Sequence, residues 1–346
     1  MREIVIAGRR IADDTPAFVV AEIGHNHQGS VATCKELIKA AAAAGADAVK
    51  LQKRSNRDLF TSEAYEAPYH SEHAFAPTYG EHREALELGW EEYCEVREYA
   101  EHLGLVFFAT AFDIPSAQFL RRLSVPCFKV ASGDLTNIPL IQKIAAYGLP
   151  IILSTGGGTP EDVTRAAGAA GELAVLLQCT AAYPVPATEM NLRVIESYRQ
   201  QFPSTVIGLS DHYDGIMPAP VAFALGARIF EKHFTLDHNW RGSDHRFSLE
   251  PEGLRRMVRD LHRVREALGD GCKRPYESEA AGLQKMAKSL VAARDLPAGY
   301  RLTAEDIAYR SPGGGLPPYR DGELIGRILR HDLREHEAIR LEALHV

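Results

Sequence analysis

The chain has 346 residues, 45% of them hydrophobic and 25% charged, with a formal net charge of −7. This is the composition of an ordinary globular protein, long enough for one large domain of about 250 residues and a small one. The acidic balance argues against a general binder of nucleic acid or of an anionic membrane, which needs a basic face, and it requires any site for an anionic substrate to be a basic island.

The first residues, MREIVIAGRRIADD, lack the apolar core and cleavage site of a signal peptide, and residues 3–12 alternate about Gly8-Arg9 as a small hairpin that would plug the bottom of the large domain. Strands are then predicted at 18–23, 47–52, 105–110, 126–131, 150–154, 173–179, 205–210 and 228–233. Helical periods fall at 31–44, 91–103, 137–147, 160–170, 215–225 and 251–268. Eight short, continuously apolar strands with helices between them predict a (β/α)₈ TIM barrel over residues 1–268, in preference to an open doubly wound sheet. The polar, aromatic-rich insertion at 53–88 is long enough to predict an ordered cover for a site. Composition changes at 269–282, which reads as a linker, and residues 283–346 form a second, small unit with its own pattern. The most apolar window, around Ala40 to Ala44, is too short to span a bilayer. Five scattered cysteines, Cys34, Cys94, Cys127, Cys179 and Cys272, have no metal-knuckle spacing and read as free thiols of a cytoplasmic protein.

In a barrel, residues that end the strands face the active site. Those ends carry Glu22, Lys50, Gln52, Thr110, Lys129, Ser132, Ser154, Tyr183, Ser210, His212, Glu231 and His233. Burying an unpaired ammonium is costly, so Lys50 and Lys129 call for an anionic partner, and the hydroxyls beside them suit a phosphate or carboxylate. A single strand-terminal lysine ordinarily snorkels to the surface; two of them among hydroxyls leave anion binding as open as that. His212 and His233 end neighbouring strands, each two residues from a polar companion (Ser210, Glu231), which leaves a metal pair and a structural pair both open. Nitrogen and oxygen ligands without thiolate would allow Mn²⁺, Mg²⁺, Co²⁺ or Zn²⁺. His25, His27, His70, His73, His82 and His102 read mostly as surface or loop residues, with His25-Asn26-His27 at a strand exit and so also candidates to line the site. The run Gly156-Gly157-Gly158 reads as a tight turn or a phosphate cradle.

Nine stretches carry a family resemblance: AEIGHNHQG (21–29), AGADAVKLQK (44–53), TYGEHREALEL (78–88), FKVASGDL (128–135), LSTGG (153–157), LQCTAAYP (177–184), IGLSDH (207–212), EKHFTLD (231–237) and RGSDHRFSLEP (241–251). With them the chain resembles the N-acetylneuraminate (sialic acid) synthase family, and KSLVAARDLPAG…RSPGGGLPP resembles that family's antifreeze-like (SAF, β-clip-type) domain. The resemblance implies condensation of phosphoenolpyruvate with N-acetylmannosamine, or a close derivative, and water to give N-acetylneuraminate and phosphate. It implies that Lys50, Thr110, Lys129, Ser132, Ser154, Ser210 and Lys288 hold phosphoenolpyruvate, and that Glu22, Gln52, Tyr183 and Asp244 contact the sugar. It places a divalent metal on His212 and His233, Mn²⁺ first, with Mg²⁺ or Co²⁺ as alternatives. It implies a domain-swapped homodimer in which Arg310 reaches the partner's sugar site, and a catalytic acidic residue at Asp134, with Glu231 second in line to move the proton of the attacking water. Three departures stand out: an aspartate, not the commoner glutamate, at Asp134; Ala181 where some members have asparagine; and Ser311 between Arg310 and Pro312. The alternatives are a synthase for legionaminic or pseudaminic acid, one using the 6-phosphate sugar, and a non-catalytic carbohydrate-binding or scaffold protein; a ring of lysines weighs against the last.

Overall fold

Eight apolar runs too short for helices and too continuous for half-exposed strands can bury both faces only inside a layer of helices. In the computed structural model, which describes residues 1–345, they do so as a closed parallel barrel. Its strands are β3 (Phe18–Gly24), β4 (Ala48–Lys53), β5 (Val106–Ala111), β6 (Phe128–Val130), β7 (Ile151–Ser154), β8 (Ala174–Cys179), β9 (Val206–Asp211) and β10 (Ile229–His233). The last pairs with the first, Ile229 opposite Phe18 through His233 opposite Glu22, which closes the ring. Two strands precede it, β1 (Glu3–Ile6) and β2 (Arg9–Ala12), joined through Ala7 and Gly8 at φ of +50° and +77°, the positive values a two-residue hairpin turn requires.

A helix follows each barrel strand. The first is α1 (Val31–Ala43), where the Ser30 hydroxyl accepts from Thr33 N–H. The insertion after β4 holds three short helices, α2 (Asn56–Leu59), α3 (Ser62–Glu66) and α4 (Tyr79–Glu84), before α5 (Trp90–His102). Its order comes from aromatic packing: His82 lies 4.6 Å from the Tyr69 ring and 5.8 Å from Phe75, and Gly80 seats the Tyr65 ring so closely that a Cβ there would meet it at 2.3 Å. Then come α6 (Ile114–Arg122), α7 (Ile138–Ala145), α8 (Pro160–Ala170), α9 (Val194–Gln201), α10 (Pro218–Ala224) and α11 (Pro251–Leu268). The sequence reading missed α6 and α9, and it began α10 three residues early, before the proline that opens its first turn.

The hairpin covers the N-terminal ends of the strands. Ile4, Ile6 and Ile11 join the barrel's hydrophobic core. Arg9 pairs with Asp47 at 2.8 Å and donates to Gly104 O, and Arg228 donates to Asp13 O. The functional end is therefore the opposite one.

Contacts divide the chain into Met1–Gly269 and Asp270–Val346. The second unit holds α12 (Ala280–Met286) and the antiparallel pair β11 (Ser289–Ala292) and β12 (Ile307–Arg310), around a core that includes Leu290, Leu302, Leu324 and Ile339. The predicted helix start at Thr303 is a single 3₁₀ turn, closed by Asp306, which accepts from Thr303 N–H at 2.8 Å.

Among the described residues no helix is long and apolar enough to cross a membrane. Cys34, Cys127 and Cys179 are buried, Cys94 half-buried and Cys272 exposed, all unpaired.

Candidate active site

Side chains two apart on a strand share a face, and at the C-terminal ends of these strands that face is a cavity of about 520 Å³. Glu22, Lys50, Gln52, Thr110, Lys129, Ser132, Ser154, Tyr183, Ser210, His212, Glu231, His233 and Asp244 all line it. The volume lies in the range of small-molecule sites, about 300–1,000 Å³.

The floor is ionic. Lys50 Nζ stands 2.7 Å from Glu22 Oε2 and 3.7 Å from Glu231 Oε1, and donates to Thr110 Oγ1 at 2.7 Å. Lys129 Nζ lies 3.8 Å from the same Glu231 oxygen, to which Ser210 also donates at 3.4 Å. The sequence reading looked to a ligand for the anion both lysines need; the protein supplies two of its own, Glu22 from β3 and Glu231 from β10. Burial lowers the pKa of Lys129 and raises that of Glu22. Burial also pushes Glu231 up, but Lys129 and Lys50 outweigh it and hold this carboxyl below its ordinary value. The buried Ser154 Oγ and Glu231 Oε2 have no hydrogen-bond partner in the protein, and buried polar groups rarely stay unpaired unless something else pairs with them.

At the ends of β9 and β10 are two imidazoles, ring centroids 5.5 Å apart, with Tyr183 packed 4.1 Å from His212 and Phe247 5.0 Å from His233. Burial, then the neighbouring His233, holds His212 down to about 4, and burial lowers His233 as well. Both are therefore neutral at pH 7, the ligating form. The Nδ1–H of His212 donates to Thr180 O at 3.0 Å, which leaves Nε2 with its lone pair free, while His233 Nδ1 is buried without a hydrogen-bond partner, 3.8 Å from Asp244 Oδ2. A backbone carbonyl fixing the tautomer is what a ligating histidine usually has behind it. Among the described residues no group of three or more His, Cys, Asp or Glu is placed to hold a metal ion. The protein donors a metal could use here are the two imidazoles, and any further ligands would come from water and substrate.

Other assignments fall differently. Asp134 follows the lining residue Gly133 but does not itself line the cavity; its carboxylate accepts from Asn137 Nδ2 at 3.0 Å, and burial raises its pKa. Lys288 and Arg310 belong to the second unit, where Lys288 donates to Ser311 Oγ at 2.6 Å. The triple glycine is the tight turn the sequence suggested, with Gly158 N–H donating to Thr155 O at 3.2 Å and Gly157 at a φ of +73°, and it is closely packed: a Cβ on Gly156 would meet Ser132 Oγ at 2.8 Å, and one on Gly158 would meet Leu135 at 2.2 Å. Gly156 N–H donates to Ser132 Oγ. The expectation of surface histidines is corrected for His25, His27 and His82, which are 8%, 1% and 6% exposed. The strand exit folds His25 and His27 inward, with Asn26 tying the loop to Phe234 O and Ser248 Oγ, while His82 is buried in the insertion against Tyr69 and Phe75.

Sequence reasoning missed Arg54, Arg83, Phe112, Ser243 and Phe247, all lining the cavity. Arg54 was within reach, since it continues the alternation of Lys50 and Gln52 by one more step. Its guanidinium stacks 3.7 Å over Phe112 and donates to Gln52 Oε1 at 2.7 Å. Arg83 comes from the insertion, which carries no strand period to place it, and both its Nε and Nη2 donate to Tyr79 Oη. In all, four cations face three carboxylates, the basic island that the acidic chain requires.

Residues 37–273 match the profile of the NeuB family and residues 287–344 that of the SAF domain. The chain is 38% identical over 341 residues to N-acetylneuraminate-9-phosphate synthase of Mus musculus, covering 97% of this chain and 95% of that protein. It is 36% identical to N,N'-diacetyllegionaminic acid synthase of Campylobacter jejuni, covering 93% and 98%. Among solved structures it is similar to the N-acetylneuraminic acid (sialic acid) synthetase of Leptospira borgpetersenii in complex with citrate, with a TM-score of 0.71, 31% identity, and coverage of 81% of this chain and 95% of that one.

Proposed function

Because the chain belongs to the NeuB family and is a sialic-acid-type, phosphoenolpyruvate-condensing synthase, we propose that it joins phosphoenolpyruvate to N-acetylmannosamine, or a close derivative, giving N-acetylneuraminate and phosphate. One observation carries this reading: two buried lysines, the hydroxyls of Thr110, Ser132, Ser154 and Ser210, and two neutral imidazoles line a single cavity. Neither a neutral-sugar binding site nor a structural ion pair needs that combination.

In the reaction the C2=C3 π bond of phosphoenolpyruvate breaks as C3 bonds to the aldehyde carbon of the open-chain sugar, whose C=O π bond opens to an alkoxide that takes up a proton. Water adds at the cationic C2 and loses a proton to leave a hydroxyl there; the C2–O bond to phosphate then breaks as that hydroxyl gives up its own proton, leaving the 2-keto acid and phosphate. Lys50 and Lys129, with Thr110, Ser132, Ser154 and Ser210, orient the phosphate and carboxylate, a contribution of position and electrostatics. Glu22, Gln52, Tyr183 and Asp244 frame the sugar. A divalent metal held by His212 and His233, Mn²⁺ by preference, would supply Lewis-acid polarisation of the aldehyde oxygen. Glu231 lies inside the cavity, between the lysines, where a water at C2 would give up its proton; Asp134, whose pKa burial raises, is set back from the lining. Geometry ranks first in choosing a base, so Glu231 takes the role and Asp134 becomes the alternative. Lys288 and Arg310 complete the phosphoenolpyruvate and sugar contacts through a domain-swapped homodimer.

A specific observation favours a second reading of the acceptor. Among the described residues Arg54 and Arg83 form no ion pair with a carboxylate, although both line the cavity; their polar contacts are to Gln52, His25 and Tyr79. Four residues of strand separate Arg54 from Lys50, roughly 13 Å at about 3.3 Å per residue. A phosphate at C6 of the sugar would lie toward these arginines when its aldehyde lies over the floor. Phosphate release measured with N-acetylmannosamine against its 6-phosphate, in protein stripped by chelator and reloaded with single metals, tests the reading. Release from neither sugar under any metal would overturn it.

A further inference from the structure

Glu87 lies between α4 and α5, at the end of the insertion. Its side chain is 8% exposed, and it does not line the cavity. Its carboxylate nevertheless sits at the head of a chain of contacts that ends on the catalytic floor. Oε2 accepts from Lys53 Nζ at 2.7 Å and from the backbone N–H of Arg54 at 3.4 Å. Oε1 lies 3.4 Å from His25 Nε2 and has no hydrogen-bond partner. Both ring nitrogens of His25 are 3.3 Å from Arg54 Nη1. Arg54 Nη2 donates to Gln52 Oε1, Gln52 Nε2 donates to Glu22 Oε1 at 2.8 Å, and Glu22 Oε2 meets Lys50 Nζ.

The chain has a direction. Arginine only donates and an ionised carboxylate only accepts, so the Gln52 amide, caught between Arg54 and Glu22, can point only one way. Its orientation depends on Arg54 staying where it is; the Phe112 ring stacks under its guanidinium, while its polar anchors outside the cavity are Glu87 at its backbone and His25 at its guanidinium. No carboxylate within the cavity pins it. A side chain that moves by about 1 Å at a reacting centre can cost about 100-fold in rate, so the anchor matters even though it touches no substrate.

We propose that Glu87 is a positioning residue for the acceptor sugar: by anchoring Arg54 it sets the orientation of Gln52 and Glu22, and so determines acceptor use while leaving phosphoenolpyruvate binding largely alone. The proposal rests on the synthase reading. It makes the insertion part of the specificity apparatus rather than only a cover.

The test is steady-state kinetics on the full-length, metal-loaded protein, with phosphoenolpyruvate and with whichever of the two sugars it uses better, for the wild type, Glu87→Gln, Arg54→Lys and the double variant. Glu87→Gln keeps the shape and removes the charge. The expected result is a fall in kcat/KM for the sugar of about 10- to 100-fold, with the KM for phosphoenolpyruvate held within about twofold. Because both substitutions act through Arg54, the double variant should be no worse than Arg54→Lys alone. Equal losses on both substrates, multiplying losses in the double variant, or no loss would overturn the proposal. If Glu87→Gln does not fold, Glu87→Asp, which keeps the charge one methylene short, should show the same one-sided shift on a smaller scale, and a symmetric or absent shift there is equally decisive against it. A wild type inert with both sugars would instead remove the synthase reading, and the proposal with it.

Discussion

Replacing Lys129 by methionine puts the anion site to its hardest test. The side chain is 3% exposed, with Nζ 3.8 Å from Glu231 Oε1, and methionine keeps the apolar stem while removing the charge. A unit pair at that separation has a Coulomb energy of about 4 kcal/mol at an effective dielectric near 20, much of it offset by the desolvation that already lowers the lysine's pKa. Removing one partner of a buried pair can cost about 3–5 kcal/mol when the other is left alone. Here Lys50 stays 3.7 Å from the same carboxylate, so the loss of stability should fall below that range. The effect on the substrate is separable. A hydrogen bond to a charged group contributes about 1.5–3 kcal/mol, which at about 1.36 kcal/mol per decade is a loss of roughly 10- to 150-fold in kcat/KM for phosphoenolpyruvate. Initial rates of phosphate release at saturating sugar measure it directly. Thermal melting gives a second readout: phosphoenolpyruvate at about 100 times its Kd should stabilise the wild type by about 2.7 kcal/mol, and the variant at the same concentration far less. A KM within twofold of wild type, together with undiminished protection, would mean that Lys129 serves only as a counter-ion to Glu231.

His212→Ala should abolish metal-stimulated turnover and leave the melting temperature of the stripped protein nearly unchanged; full activity in the chelated variant would refute the histidine pair as the ion's seat. Acid should destabilise the fold through His27, which burial holds down to about 3. The folded value lies below the unfolded one of about 6.5, so the unfolded chain binds the extra proton, and the stabilisation present above pH ~6.5 drains away as pH falls, by about 2 kcal/mol at pH 5. Urea midpoints at pH 7.5 and 5 should therefore diverge less in His27→Gln than in the wild type; equal divergence would contradict this. Gly208→Ala should destabilise by at least about 1–3 kcal/mol, because the added Cβ would meet Ile229 O at 2.3 Å and Leu177 Cδ2 at 2.5 Å; an unchanged urea midpoint would show that β9 and β10 can part there. Arg83→Ala should weaken use of the 6-phosphate sugar by about 10-fold or more while barely altering use of the unphosphorylated one, if the arginines grip a phosphate; equal effects on both sugars would remove that reading.

The barrel was legible because each strand is a short apolar run and each helix between them carries its own period. The floor was legible for a related reason: the alternation that buries Val20 and Ala48 brings Glu22 and Lys50 to the same end of adjacent strands, in register. Partnership was not legible. That Lys50 meets both Glu22 and Glu231 depends on ring closure between β10 and β3, the two barrel strands farthest apart in the chain. The depth of His25, His27 and His82 was hidden likewise, because a loop histidine is buried only by what other segments lay over it. The short helices of the insertion escaped since segments of four to six residues carry too few positions for a period, and tertiary contacts such as Tyr65 on Gly80 decide them. The missed α6 had visible punctuation, Asp113 as cap with Pro115 in the first turn.

The hairpin tied by Arg9 and Arg228 to the ends where the strands begin gives the barrel two poles with different tolerances. Substitutions around Ile4, Ile6 and Ile11 bear on how long the protein survives, and those around Lys50 and His212 on what it makes. An engineer wanting a hardier catalyst can work the first pole without reopening the question of substrate, and one wanting a different sugar can start at the other with its scaffold already held from beneath.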